Sequence, residues 1–164
     1  MKKSKELIVR TMRTTDVFDV LHIERLSFDR PWSEEAFAEN LKGSNCRSQV
    51  AISNGVIAGF LLYLNVSGSM RILNMAVHPE FRRTGIGTQL ISVLMNDLSL
   101  SSGRLVSGIV RESNLGAQLF LKSMGFFATD IINGEFRGSS ECGYLFEFKV
   151  PSVPHDRISN WPLF

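Results

Sequence analysis

The chain has 164 residues, of which 44% are apolar, and its formal net charge at pH 7 is +2. This length suits one compact domain, and the apolar content excludes a disordered chain. The near balance of charge argues against a nucleic acid or a membrane surface as the main partner.

The ends and the cysteines bear on the cellular compartment. The chain starts with basic residues that no apolar run follows, so we expect no signal peptide. The longest apolar stretch, around Val56–Val66, is too short and interrupted to span a bilayer. Cys46 and Cys142 lack metal-ligand spacing, and free thiols are favoured over a disulfide between them. We therefore predict a cytoplasmic protein that binds no metal.

The predicted elements alternate between strands and helices. A strand over 7–12 is followed by a helix that is capped within Thr14–Asp16 and ends near Ser27. Ser33 is the predicted N-cap of a second helix, which fades near Gly43. The remaining elements are strands over 49–53, 56–66 and 70–77, a helix over 85–98, a strand over 105–110, a helix over 114–124 and strands over 126–132 and 143–149. This order favours an α/β (α+β) domain over 1–150, with a mixed sheet and helices on both faces, followed by a tail over 151–164.

The most informative stretch is NMAVHPEFRRTGIGTQL, residues 74–90, where a strand, a short loop and a helix follow each other. Backbone amides at a helix N-terminus attract an anion, and Gly85 and Gly87 let the backbone approach a pyrophosphate closely. A Walker loop would need a Lys and a Ser or Thr after the last glycine, and a dinucleotide fingerprint would need a third glycine. Neither motif is present. A glycine-rich turn that only starts a helix is the remaining alternative.

Three blocks of the sequence resemble the N-acetyltransferases of the GNAT superfamily. The first block is Asn74–Val77 with the Arg82-x-x-Gly85-x-Gly87 loop, and the second is Val110–Asn114 with Leu119–Phe126. The third block, Pro31–Phe37, lies upstream and is similar to the ribosomal-protein alanine N-acetyltransferase branch. The resemblance covers about Leu7–Lys149. It implies the GNAT fold, a mixed and mostly antiparallel seven-stranded sheet with about four helices on both faces. It also implies acetyl-CoA-dependent transfer of an acetyl group to a primary amine by direct attack on the thioester.

The resemblance also assigns residues to the two substrates. Acetyl-CoA would be held by Met75, Ala76, Val77, Arg82, Arg83, Thr84, Gly85, Ile86, Gly87, Thr88, Asn114 and Phe120. The acceptor would contact Phe28, Trp32, Asn74 and Glu135, with Arg137 beside Glu135. For Phe28 and Trp32 the alternative is a role as core anchors.

The catalytic positions depart from the pattern of the resembled branch. A tyrosine acid would stand at Phe120 and a glutamate base at Ile109, and neither residue present can exchange a proton. Tyr144 and Glu141 are the substitute candidates, with packing and a solvated carboxylate as their alternatives. An α-amine with a pKa of about 7.7–8.0 is appreciably neutral at pH 7, whereas a lysine amine near pKa 10.4 is not. We therefore expect an α-amine acceptor.

Two other functions stay open at this stage. The predicted acceptor is a protein or peptide N-terminus, and a small-molecule amine is the alternative within the enzyme class. The substitutions at Phe120 and Ile109 motivate a catalytically inactive acyl-CoA-binding regulatory protein. A homodimer is a further expectation, and we expect neither nucleic acid nor membrane as a partner.

Overall fold

The computed structural model describes residues 6–136 and 138–150, so Arg137 and the predicted tail lie outside the described residues. The strands are β1 (Leu7–Thr11), β2 (Cys46–Ser53), β3 (Val56–Val66), β4 (Ser69–Val77), β5 (Leu105–Arg111), β6 (Phe127–Ile132) and β7 (Gly143–Lys149). The α-helices of the described segments are α1 (Val17–Ser27), α2 (Glu34–Leu41), α3 (Ile86–Leu100) and α4 (Leu115–Ser123). Short 3-10 turns cover Thr14–Asp16 and Pro79–Phe81. The predicted order of elements is confirmed.

The largest difference from the predicted boundaries is at the start of β2. The sequence pattern placed this start at Gln49, but the strand begins at Cys46. Its first three residues pair with residues 62–64 of β3. Pairing with the long neighbouring strand extends β2 through Cys46–Ser48, a segment whose side chains show no apolar alternation. The alternation of apolar and polar residues along one strand carries no information about the length of the strand that pairs with it.

The seven strands form one sheet in the order β1-β2-β3-β4-β5-β7-β6. All neighbouring pairs are antiparallel except β4 and β5, which run parallel. The predicted mixed, mostly antiparallel seven-stranded sheet is therefore confirmed. The parallel pair lies inside the sheet, and its geometry determines where the site forms.

Helices cover both faces of the sheet, as predicted. Successive residues of a strand point to opposite faces. On β3, Leu61 and Tyr63 join a buried cluster with α3 and α4, whereas Phe60 and Leu62 join a second cluster with α1 and α2. The predicted inward face of α3 is confirmed, since all of its five predicted core residues are buried: Ile86, Leu90, Ile91, Leu94 and Leu98. The sheet thus separates two cores, and an opening between strands connects the two sides.

The state of the two cysteines can be compared with the sequence prediction. Cys46 and Cys142 are both free thiols, as the sequence favoured. In residues 6–136 and 138–150, no helix is long and apolar enough to cross a membrane.

Candidate active site

The parallel strands β4 and β5 separate along their length. They pair only from Ser69 to Ile72 on β4 and from Leu105 to Gly108 on β5. Leu73 is an extra residue on β4, because Ile72 pairs with Tyr63 and Asn74 pairs with Leu62 of β3. Such a bulge bends its strand and locally interrupts the ladder. Beyond it, β4 stays paired with β3 but no longer with β5, which opens a wedge in the sheet.

The loop after β4 leads into the N-terminus of α3. Arg83 and Gly85 have φ values of 63° and 89°, so both adopt the left-handed region, where a non-glycine residue is uncommon. Gly85 is the N-cap of α3, and no side chain caps the first turn. The first amides of a helix lack partners within the helix and carry its positive dipole end. This uncapped turn therefore presents a ready anion site at the end of the wedge.

The side chain of Arg82 does not point along the loop but folds back onto β4 and α1. Its Nε donates to the carbonyl of Val77 at 3.0 Å, and its NH2 donates to the hydroxyl of Ser27 at 3.2 Å. The hydroxyl of Thr84 donates to the carbonyl of Phe81 at 2.6 Å. These bonds fix the path of the loop and engage the side chains of Arg82 and Thr84 within the protein.

Helix α4 closes the other side of the wedge. Asn114 is its N-cap, and its Oδ1 accepts from the backbone N–H of Ala117 at 3.1 Å. Phe120 follows on the next turn, and its ring lies against Gly87 at the start of α3. The two sequence blocks that carry the family resemblance therefore meet at the wedge, one on each helix.

On the opposite face of the sheet, a buried carboxylate links three elements. Glu24 of α1 is 1% exposed. Its Oε1 accepts from the backbone N–H of Trp32 at 2.8 Å, and its Oε2 accepts from the side-chain amide of Asn74 at 3.0 Å. Burial raises the pKa of Glu24, and the two hydrogen bonds from Trp32 and Asn74 lower it by less.

Trp32 is both a core anchor and a wall of the site. Its ring packs edge-on against Phe37 with centroids 5.6 Å apart, and Phe37 packs in the same way against Phe60. Trp32 and Phe28 also line the same opening as Glu24. The two alternative roles that the sequence suggested for Phe28 and Trp32 are therefore compatible in one structure.

These features bound one cavity of about 740 Å³ that extends from the start of α3 through the wedge to the connection between α1 and α2. It joins eleven of the twelve residues predicted for acetyl-CoA: Met75, Ala76, Val77, Arg82, Arg83, Gly85, Ile86, Gly87, Thr88, Asn114 and Phe120. Thr84, the twelfth, is not among its lining residues. Three of the four predicted acceptor contacts line it as well: Phe28, Trp32 and Asn74.

Besides Thr84, three other predicted site residues are not among the lining residues of the cavity. Glu135 is exposed and pairs with Arg71 at 3.2 Å. Tyr144 packs against the cluster beneath α3 and α4. Glu141 accepts from the backbone N–H of Ser113 at 2.7 Å and from Arg111 at 3.1 Å. The bonds from Ser113 and then Arg111 hold the pKa of Glu141 below its ordinary range.

The cavity also includes residues that sequence reasoning did not assign to it. Glu24, Ser27, Arg30, Arg111 and Phe136 are among its lining. The guanidinium of Arg111 lies 3.8 Å from the centre of the Phe136 ring, and Arg30 donates to the carbonyl of Gly138 at 2.6 Å. Glu24 carried a readable signal, because a carboxylate on the apolar face of a predicted helix is unusual. Phe136 carried none, because it lies in a loop.

Comparisons with known proteins agree with this geometry. The sequence pattern of the Acetyltransferase (GNAT) family matches residues 17–126. The chain is 31% identical over 118 residues to the ribosomal protein bS18-alanine N-acetyltransferase of Escherichia coli, covering 72% of this chain and 79% of that one. It is 27% identical over 157 residues to an N-alpha-acetyltransferase of Sulfurisphaera tokodaii, covering 88% and 93%.

The structural comparison gives the same result. The crystal structure of the ribosomal-protein-S18-alanine N-acetyltransferase from Escherichia coli superposes with a TM-score of 0.81 at 25% identity, covering 92% of this chain and 98% of that one. The resemblance read from the sequence is thus confirmed by the family match, by the relatives and by the fold. The chain belongs to the GNAT family of acetyltransferases.

Proposed function

We propose that this protein transfers the acetyl group of acetyl-CoA to the α-amine of a protein or peptide N-terminus, by direct attack of the amine on the thioester. The observation that carries the proposal is the continuous cavity. It begins at an uncapped helix N-terminus, passes between two separated strands and ends beside Trp32 on the other face of the sheet. A donor and an acceptor can therefore meet from opposite faces.

The donor end of the cavity fits a pyrophosphate and an extended arm. The backbone amides of Arg83, Gly85, Gly87 and Thr88 would hold the pyrophosphate, because this first turn of α3 has no side-chain cap. Main-chain groups of Met75–Val77 would bond the pantetheine arm where β5 no longer pairs with β4. Asn114 would bond the same arm from the other side, through the amide nitrogen that its capping bond does not use.

The charges at the cavity wall favour a peptide over a polyamine. Its described lining carries four arginines, of which Arg82 and Arg83 belong to the loop at the donor end and Arg30 and Arg111 lie outside that loop. Glu24 is the one carboxylate among the described lining residues, and it is buried. A polycation would be repelled by such a wall, whereas an N-terminus with a single ammonium group loses that charge when it deprotonates to react.

The chemistry needs a neutral amine, a polarised thioester and a leaving thiolate. A backbone amide on the open part of β4, facing the thioester oxygen, would increase the rate of acetyl transfer on the order of a hundredfold or more. Holding the amine next to the thioester contributes much of the remaining rate acceleration. A thiol with a pKa of about 8.5 leaves tolerably as the thiolate, so a side-chain acid at Phe120 is not essential.

The two similar enzymes support the protein acceptor. Both are named for acetylation of a protein alanine or of an α-amine, and the chain covers more than two thirds of each. The free thiols Cys46 and Cys142 support a cytoplasmic location. Homodimer formation and the absence of nucleic-acid binding stay predictions.

The experiment that tests the proposal combines calorimetry with a thiol-release assay. The purified chain is titrated with acetyl-CoA, and release of CoA thiol is then followed over a panel of N-terminal peptides, polyamines and aminoglycoside-type amines. We expect saturable binding and thiol release with peptides. Release only with small amines would contradict the peptide acceptor, and binding without release on the whole panel would favour the inactive binding protein.

A further inference from the structure

Glu24 holds the acceptor side of the cavity to the donor strand. Its carboxylate bridges the backbone of Trp32, in the connection between α1 and α2, and the side chain of Asn74, directly after the bulge in β4. Both bonds are short, at 2.8 and 3.0 Å, and Asn74 is 7% exposed. Three elements that are distant in sequence therefore meet at one buried group on the cavity wall.

This arrangement is costly for the fold. Both hydrogen-bond partners of the Glu24 carboxylate are neutral amides, so no cation in these bonds offsets the burial of its charge. An apolar residue of similar length could fill the same space without that cost. Buried charged groups without a charged partner are commonly found where a protein positions its substrates. The location of Glu24 at the cavity, and not in a remote core, agrees with such a role.

The bridge has a direct geometric consequence for the reaction. Trp32 lines the acceptor end of the cavity, and Asn74 precedes Met75, whose main chain borders the wedge. Because the Glu24 carboxylate bonds to both, the wall that receives the acceptor keeps a fixed distance from the strand that receives the thioester. A displacement of about 1 Å between reacting groups can lower a rate on the order of a hundredfold.

We propose that Glu24 is a positioning residue, which fixes the acceptor amine against the thioester through its bridge between Trp32 and Asn74. This inference rests on the proposed N-terminal acetylation. In this role Glu24 acts through its two partners, because its carboxylate oxygens accept from the backbone of Trp32 and from the side chain of Asn74.

Two variants and one matched control test the inference. Glu24→Met removes the bridge at similar side-chain length. The double variant Glu24→Gln with Asn74→Asp rebuilds it with donor and acceptor exchanged, because the glutamine amide then donates to the aspartate. Asp16→Asn is the control, since Asp16 is another buried carboxylate, 5% exposed and bonded to Arg10, and it does not line the cavity.

The measurements are kcat/KM for an N-terminal peptide and Kd for acetyl-CoA, with rates normalised to the binding-competent fraction given by the calorimetric stoichiometry. For Glu24→Met we expect kcat/KM to fall roughly tenfold to a hundredfold with an unchanged Kd for acetyl-CoA. The double variant should regain most of the lost activity, and Asp16→Asn should keep the kcat/KM of the wild type.

The outcomes separate the inference from the function on which it rests. An active wild type with an equally active Glu24→Met would overturn the positioning role alone, as would a folded double variant that stays as slow as Glu24→Met. If Glu24→Met does not fold, the double variant decides on its own, because a folded but inactive double variant would overturn the role. A wild type that acetylates no peptide would overturn the proposed function itself.

Discussion

The ring of Phe120 lies against Gly87. A Cβ on Gly87 would be 3.2 Å from Cζ of Phe120 and 3.3 Å from its Cε2. The start of α3 and the second turn of α4 are therefore in tight contact, and a side chain at Gly87 would require the Phe120 ring to move by a few tenths of an ångström. Phe120 supports the loop that would hold the pyrophosphate, at the position where the resembled enzymes would carry an acidic phenol.

This contact predicts the result of restoring a tyrosine. Phe120→Tyr adds a hydroxyl at the ring carbon that already faces Gly87, so we expect weaker acetyl-CoA binding and no increase in kcat. Crowding of a packed contact costs about 1–3 kcal/mol. Calorimetry and steady-state kinetics check both quantities. Phe127→Tyr is the control, because Phe127 is 72% exposed and does not line the cavity. A clear rise in kcat for Phe120→Tyr would show that the phenol reaches the leaving thiol.

The anion site at α3 gives a second prediction. Gly85→Glu places a carboxylate beside the amides that would hold the pyrophosphate, so we expect acetyl-CoA binding to be lost. Gly55→Glu is a close control, because Gly55 has a φ of 83° against 89° for Gly85 and neither position has a neighbour within 4 Å. Both variants carry the same backbone strain, and only one should lose the donor. Unchanged affinity in Gly85→Glu would refute the pyrophosphate assignment.

The candidates Tyr144 and Glu141 can be tested by conservative changes. General acid or base catalysis contributes about a hundredfold or more, so removal of a true catalyst should be obvious in kcat. Neither side chain lines the cavity, and Glu141 is bonded to Ser113 and Arg111. We expect Tyr144→Phe and Glu141→Gln to keep kcat close to that of the wild type. A loss of a hundredfold in either variant would identify the missing acid or base.

Asp16 makes stability depend on pH in a defined direction. Arg10 donates to both oxygens of Asp16, at 2.6 and 2.9 Å, and the N–H of Arg13 donates at 2.7 Å. The bond from Arg10 and then that from Arg13 lower the pKa of Asp16 against the opposing effect of burial. A carboxyl with a lowered folded-state pKa stabilises the fold above its unfolded pKa and loses this contribution as the pH falls through the folded pKa.

Asp16→Asn should therefore reduce the free energy of unfolding at pH 7 by about 1 kcal/mol. The difference from the wild type should shrink as the pH is lowered below about 4, because the Asp16 carboxyl then takes up a proton first in the unfolded chain and, at still lower pH, in the folded protein. Urea unfolding at several pH values measures this. Asp19→Asn, at an exposed position on the following helix α1, is the control. A difference that stays constant down to pH 3 would contradict the ion-pair explanation.

Much of the fold could be predicted from the sequence because its signals are local. The turn Asn54-Gly55 set the hairpin between β2 and β3, and both residues have positive φ, as that turn requires. Gly125, with a φ of 87°, ended α4 as expected. The donor end of the site could be predicted equally well. Most of its residues are close together in the sequence, and the spacing of their glycines is typical of a loop whose backbone amides bind a phosphate.

The acceptor end could not be read in the same way. The bridge from Glu24 to Asn74 joins residues 50 positions apart, and the bond from Arg30 to Gly138 spans 108 positions. Neither contact has a local pattern. Glu135 was expected at the acceptor because of its loop, but its ion pair with Arg71 is formed at the surface. Long-range contacts of this kind depend on the order of the strands in the sheet. No local sequence pattern specifies that order, because it results from the packing of the whole chain.

The most direct test of the central claim is to locate the transferred acetyl group. A peptide that begins with alanine and contains one internal lysine is incubated with the protein and acetyl-CoA, and fragment masses show which amine was modified. We predict acetylation of the α-amine alone, and its loss in Gly85→Glu but not in Gly55→Glu. Acetylation only at the lysine, or of no peptide amine, would contradict the claim that this cavity joins acetyl-CoA to a protein N-terminus.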